Sequence, residues 1–143
     1  MPTRTAEAVW NGNLMEGKGE IGVGSKAFKV AYDWRSRSSE GTAGTNPEEL
    51  LGAAHAGCFS MALSAGLSKA GHAPRRVHTT AKVSFDKQGE GFAITRIHLT
   101  TEAEVPGIDA AAFDKFAQGA KENCPVSKAL AATPISLEAK LLG

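Results

Sequence analysis

Residues 46–67 read NPEELLGAAHAGCFSMALSAGL, and this stretch decides the fold. Asn46 suits a helix N-cap, Pro47 fits the first helical position, where its missing N–H costs nothing, and Glu49 stands three residues after the cap, as a capping box requires. From Leu50 to Leu67 almost every residue is apolar or small, with Leu51, Ala54, Cys58, Met61 and Ala65 recurring on one face at helical spacing. The other faces carry Gly52, Ala53, Ala56, Gly57, Ala62 and Leu63, so this helix offers water few polar sides and is expected to be buried all round. A chain of 143 residues with short strands has little else to cover it, which points to a second copy packed on the small-residue face, hence a homodimer.

Working outward, Thr5 to Trp10, Glu20 to Val23 and Phe28 to Tyr32 are short β-favouring runs separated by glycine-containing turns, which predicts an antiparallel meander. The Ser/Gly-rich RSRSSEGTAGT of residues 35–45 reads as a loop. On the far side Gly71 fits the end of the helix, and Val77 to Phe85 and Ala93 to Val105 form a hairpin through DKQGEG. Asp109 caps a second helix with Phe113, Phe116 and Ala120 on one face, ending near Asn123. Cys124 opens a short helical segment, and Ile135 to Leu141 is a last strand. The expected fold is therefore α+β, one domain over residues 1–143, with an antiparallel β-sheet and a long buried central helix.

Sixteen Lys and Arg nearly balance fifteen Asp and Glu, so the chain lacks the basic excess of a nucleic-acid binder or of a protein held on an anionic membrane. No uninterrupted apolar run approaches the roughly 20 residues of a membrane span, and MPTRTAEAVW has no apolar secretory stretch, so the expected location is cytoplasmic. In a reducing compartment two cysteines are seldom a structural staple; either they are inert core residues or their thiol chemistry is used.

Cys58 by itself favours core packing, because a buried thiol is inert unless something stabilises its thiolate. Cys124 lies far from it in the chain, so this is not a Cys-x-x-Cys pair, and Cys124-Pro125-Val126-Ser127 lacks the second cysteine of a thioredoxin motif. His55 and Cys58, three apart on a helix, could bind zinc with Cys124 and one of His72, His78 or His98, yet no second close ligand pair supports it. Phosphate-binding glycine loops and the serine-hydrolase G-x-S-x-G are absent.

Taken together, GTNPEELLGAAHAGCFSMALS, GFAITRIHLTTEAEVPGID and NCPVSKAL resemble the osmotically inducible protein C branch of the OsmC/Ohr family, in order and spacing, over essentially the whole chain. The resemblance implies an intertwined α+β homodimer and a thiol-dependent peroxidase that reduces organic hydroperoxides, with neither metal nor organic cofactor. It implies that Cys58 is the peroxidatic cysteine, that Cys124 resolves it as a disulfide, and that an external dithiol such as dihydrolipoamide reopens the bond. It further implies a site arginine and glutamate. The glutamate falls on Glu48, ten residues before Cys58, with Glu49 left to the helix cap. The arginine falls on Arg37, at the end of a strand, with Arg35 the lesser alternative because the segment that follows is a residue longer than usual.

The chemistry has room for such residues. An ordinary cysteine is about 3% thiolate at pH 7, and lowering its pKa by about two units gains only about 25-fold, so an arginine must also stabilise the leaving alkoxide. Ten residues of helix rise about 15 Å, so on an unbroken helix Glu48 would serve the cysteine of another copy. Leu51, Phe59 and Met61 suit either a pocket for the peroxide's organic tail or plain core. Rival readings are a non-enzymatic redox sensor and a zinc-stabilised binding domain.

Overall fold

Helix α2, Pro47–Lys69, begins where its cap residues say it should. Asn46 Oδ1 accepts the Glu49 N–H at 2.7 Å, filling one of the orphan donors of the first turn. Glu49 does not complete the box; its carboxylate accepts from Thr45 Oγ1 at 2.8 Å instead. At the other end Gly71 takes φ +88, and the His72 N–H returns to Leu67 O at 2.8 Å, a left-handed stop that glycine makes cheap.

The computed structural model describes residues 1–143, in the order β1 (Ala6–Asn11), β2 (Lys18–Val23), β3 (Lys29–Tyr32), α1 (Trp34–Ser38), α2, β4 (Arg76–Gln88), β5 (Gly91–Glu104), α3 (Ala110–Asn123), α4 (Pro125–Ala129) and β6 (Ile135–Leu141). The chain divides into two compact units, Met1–Leu50 and Leu51–Gly143.

In the first unit β1, β2 and β3 form the expected antiparallel meander. Gly19 lies opposite both Trp10 and Tyr32, and a Cβ there would meet both rings, so only glycine lets the two aromatics close over the central strand. The stretch expected as a loop begins instead with a helical turn, α1. Asp33 caps it, accepting from the Ser36 N–H at 2.7 Å while Ser36 Oγ takes the Asp33 N–H at 3.0 Å, a reciprocal box written in Asp-x-x-Ser rather than the commoner Glu form. Arg37 thus stands on this helix and not on a strand.

The second unit holds the core: Phe59, Leu63 and Leu67 of α2, Ile97, Leu99 and Ala103 of β5, Val105, and Phe113, Ala117 and Ala120 of α3, with Cys124. Every second residue of β5 from Ile97 to Ala103 is buried, as one sheet face against helices demands. Ser60 Oγ donates to Thr79 Oγ1 at 2.8 Å, and Thr79 pairs with Thr101 at 3.0 Å, so the hydroxyls inside this layer are satisfied. The hairpin turns at Gly89–Glu90 and is longer than its apolar pattern suggested. Strand β6 adds to β5 in parallel, which departs from the all-antiparallel expectation. The α3–α4 connection makes that possible, because it carries the chain back before β6 starts.

Two expectations about α2 need correcting. Its inward face is Gly52, His55, Phe59, Leu63 and Leu67, not the Leu51–Cys58–Met61 stripe, and Ala54, Gly57, Met61 and Ala65 stay exposed in the single chain, Met61 at 76%. At 23 residues it is also long and apolar enough by length and composition to cross a bilayer, which counting uninterrupted apolar residues overlooked because Ser and His interrupt the run.

Candidate active site

Two constellations contain the predicted residues. The first is built within the Met1–Leu50 unit. Buried Ser36 donates from Oγ to Thr45 O at 2.7 Å, Asn46 Nδ2 donates to Ser36 O at 3.0 Å, and the Thr45 N–H bonds Ala31 O at 2.9 Å. Helix α1 and the cap of α2 are thereby tied together. The consequence is an Arg37–Glu48 fork: Arg37 Nη2 donates to Glu48 Oε1 at 2.7 Å, and Nε donates to Oε1 and Oε2 at 3.1 and 3.2 Å. Glu48 is buried and Arg37 only partly so, and the paired hydrogen bonds fix the plane of the guanidinium. Arg35, the alternative arginine, is exposed and makes no part of this fork, and Glu49 is occupied with Thr45.

The second constellation lies within Leu51–Gly143. Cys58, half-buried on α2, and Cys124, fully buried between α3 and α4, have sulfurs 2.9 Å apart and share a hydrogen bond as free thiols. Core packing brings them together, since Phe59 and Leu63 of α2 and Phe113, Ala117 and Ala120 of α3 share one apolar cluster with Cys124, and Pro125 at the start of α4 turns the chain at the cysteine.

Their environments are unequal. Burial and the hydrogen bond with Cys124 push the Cys58 thiol up, against a smaller opposing pull from the Val126 N–H. Burial pushes Cys124 up too, but the hydrogen bond with Cys58, the N–H and hydroxyl of Ser127 and the Val126 N–H outweigh it and hold Cys124 below the ordinary thiol value.

His55, which a zinc reading would use, is fully buried and instead sets Nε2 2.7 Å from Ser127 Oγ. His78 lies by Glu102 and His98 by Ser136, and no group of three or more His, Cys, Asp or Glu side chains is gathered to hold a metal. Phe59 belongs to the core and Met61 to the open face, so these two do not line a common pocket. Sequence reasoning missed Ser127 as a site residue. Its signal was position alone, three residues after a cysteine that opens a helical turn.

Residues 39–140 match the family model described as OsmC-like protein. The chain is 51% identical over 130 residues, 90% of each sequence, to the Escherichia coli K12 protein named Peroxiredoxin OsmC, and 28% identical over 102 residues, 70% of each, to the Organic hydroperoxide resistance protein OhrA of Bacillus subtilis. Among solved structures, the OsmC like protein from Mycoplasma pneumoniae superposes with a TM-score of 0.77 at 17% identity, over 99% of both chains. The Organic Hydroperoxide Resistance Protein OhrB of Bacillus subtilis gives 0.69 at 24%, over 96% of this chain and 97% of that one. A sequence match across most of the chain and a shared fold agree: this chain belongs to the OsmC-like protein family.

Proposed function

We propose that this chain is a cysteine-based peroxidase that reduces organic hydroperoxides to alcohols, using Cys58 as the peroxidatic and Cys124 as the resolving thiol. The observation that carries the reading is the 2.9 Å separation of two free sulfurs that the chain holds sixty-six positions apart, in a member of a family whose relatives bear peroxiredoxin and organic hydroperoxide resistance names.

The Cys58 thiolate attacks the outer oxygen of ROOH; the O–O bond breaks, the alkoxide leaves and takes a proton to become ROH, and Cys58 becomes a sulfenic acid. Cys124 then attacks that sulfur, expelling water once a proton is supplied, and the disulfide is reduced by an external dithiol that is itself oxidised. The first step asks for negative charge on Cys58, whose thiol burial and the hydrogen bond with Cys124 push up. A guanidinium corrects this. Arg37, held flat by Glu48, would favour the Cys58 thiolate, hydrogen-bond the peroxide and stabilise the alkoxide.

Helix α2 is unbroken from Pro47 to Lys69, so Glu48 and Cys58 are separated by about 15 Å of helical rise, and the fork is assigned to the cysteine of a second copy. The open apolar face of Ala54, Gly57, Met61 and Ala65 supplies a surface for that copy, and the protein is read as a cytoplasmic homodimer acting as one domain over residues 1–143.

Intact-mass measurement after one equivalent of tert-butyl hydroperoxide tests the reading. Wild type should lose two hydrogens, Cys58→Ser should not react, and Cys124→Ser should gain one oxygen. Oxidation of Cys58→Ser at the wild-type rate would reverse the assignment of the two sulfurs. Repeated turnover with a dithiol separates an enzyme from a sensor that oxidises once.

A further inference from the structure

Zinc fails here on ligand number, but two sulfurs suffice for another kind of centre. Cys58 and Cys124 are free thiols with sulfurs 2.9 Å apart, and no group of three or more His, Cys, Asp or Glu side chains is gathered to hold a metal. A tetrahedral ion asks for four ligands, so this pair leaves it unsatisfied. Soft centres of low coordination number remain, because thiolates favour them and two sulfurs nearly complete their shell.

Distance separates the candidates. A linear two-coordinate ion, such as monovalent copper, sets its sulfurs on opposite sides, about 4.6 Å apart when each thiolate bond is about 2.3 Å. A pyramidal three-coordinate centre, with bonds of similar length and angles near a right angle, sets them about 3.3 Å apart. From 2.9 Å the pair opens to the second spacing by about 0.4 Å, and to the first only by about 1.7 Å. Cys124 is fully buried in the cluster that holds Phe59, Leu63, Phe113 and Ala117, where close packing resists the larger displacement. Trivalent arsenic is thiophilic, pyramidal and three-coordinate.

We propose that the reduced Cys58–Cys124 pair is a binding site for trivalent arsenicals, which it holds by two As–S bonds while the third arsenic position keeps its carbon or oxygen group. With an arylarsenic oxide, each sulfur forms one bond to arsenic, the As=O bond breaks, and the two thiol protons leave with the oxygen as water. Arsenic stays trivalent, and neither sulfur is oxidised or reduced. Access sets the order of the two steps. Half-buried Cys58 bonds first, and fully buried Cys124 then closes the ring as an intramolecular partner, at an effective concentration that a lone thiol lacks. Capture needs only the two free thiols; the loss of peroxidase turnover that follows from it rests on Cys58 and Cys124 acting as proposed above.

The test adds one equivalent of phenylarsine oxide to the reduced protein in excess glutathione, a monothiol that strips arsenic from any single cysteine, and reads intact mass. Wild type should carry one phenylarsenic group, bound with loss of one water, and should give it up to a competing dithiol. Bound protein should no longer form its disulfide with diamide. Wild type in the disulfide form, identical in sequence, should carry none. Reduced wild type unfolded in urea, whose sulfurs are sixty-six positions apart with nothing to hold them together, should bind at least about a hundredfold more weakly than the folded protein. Cys58→Ser and Cys124→Ser should lose the group to glutathione. No adduct on reduced, folded wild type, equal affinity in urea, or retention by Cys124→Ser would each overturn the site. Arsenic uptake by a wild type that never reacts with hydroperoxide would leave the site standing and remove the peroxidase reading; turnover without uptake would remove the site alone.

Discussion

The Arg37–Glu48 fork and the Cys58–Cys124 pair are assembled by opposite means. The fork joins residues eleven positions apart through capping side chains and backbone carbonyls, and its arginine is only partly buried. The sulfur pair joins residues sixty-six positions apart through an apolar core, with one thiol out of solvent altogether. Polar, local construction fixes the orientation of a charge, whereas apolar, long-range construction fixes a distance between two groups that need no charge to meet. The two regions should therefore fail in different ways.

The largest separation is expected from Arg37→Lys. A lysine keeps the charge but loses the planar fork, so reduction of an organic hydroperoxide should fall about a hundredfold or more. Closure of the Cys58–Cys124 disulfide by diamide, which accepts the two electrons and two protons without an alkoxide to stabilise, should stay at the wild-type rate. Parallel stopped-flow assays with the two oxidants check this, and a common loss in both would show that the fork also holds the sulfurs in place.

Phe59→Ala strikes the other region. Removing a fully buried ring from the core should cost about 3–5 kcal/mol of unfolding free energy, measured in urea, and should slow closure by both oxidants. Ser36→Ala is milder. It removes the hydroxyl that ties α1 to Thr45, worth about 1 kcal/mol, and should lower hydroperoxide reduction about fivefold while diamide closure is untouched. If Ser36→Ala slowed diamide as well, the separation between the regions would narrow.

Legibility in the sequence follows the same divide. The start of α2, the Asp109 cap of α3 and the span of β6 were readable because caps and alternation are local signals carried by a few adjacent residues. Helix α1 was not, since Arg-Ser-Arg-Ser looks like loop until Asp33 and Ser36 are seen to bond each other. The inward face of α2 was misassigned because Leu51, Cys58 and Met61 are as apolar as Phe59 and Leu63, so periodicity cannot say which stripe meets the sheet. The parallel pairing of β6 depends on where α3 and α4 deliver the chain, which no residue in β6 encodes. Juxtaposition of Cys58 and Cys124 came from resemblance, not from spacing. Ser127 had neither, and His55 was visible only as a possible metal ligand.

The smallest effect concerns His55 and bears on which region senses acid. Burial lowers its pKa from the usual 6.5, so below that pH the unfolded chain takes up a proton that the folded chain refuses. The unfolded state then binds more protons, and stability must fall as pH drops from 6.5, levelling once pH passes below the folded value. One proton can contribute at most about 1.4 kcal/mol per pH unit. His55→Gln keeps a donor for Ser127 but cannot be protonated, so its urea unfolding free energy should be flatter than wild type just below pH 6.5. Matching slopes in the two proteins would mean that His55 takes its proton without unfolding. A charged His55 would then have to donate from both nitrogens, with Nδ1 turned toward a partner that the folded chain does not provide.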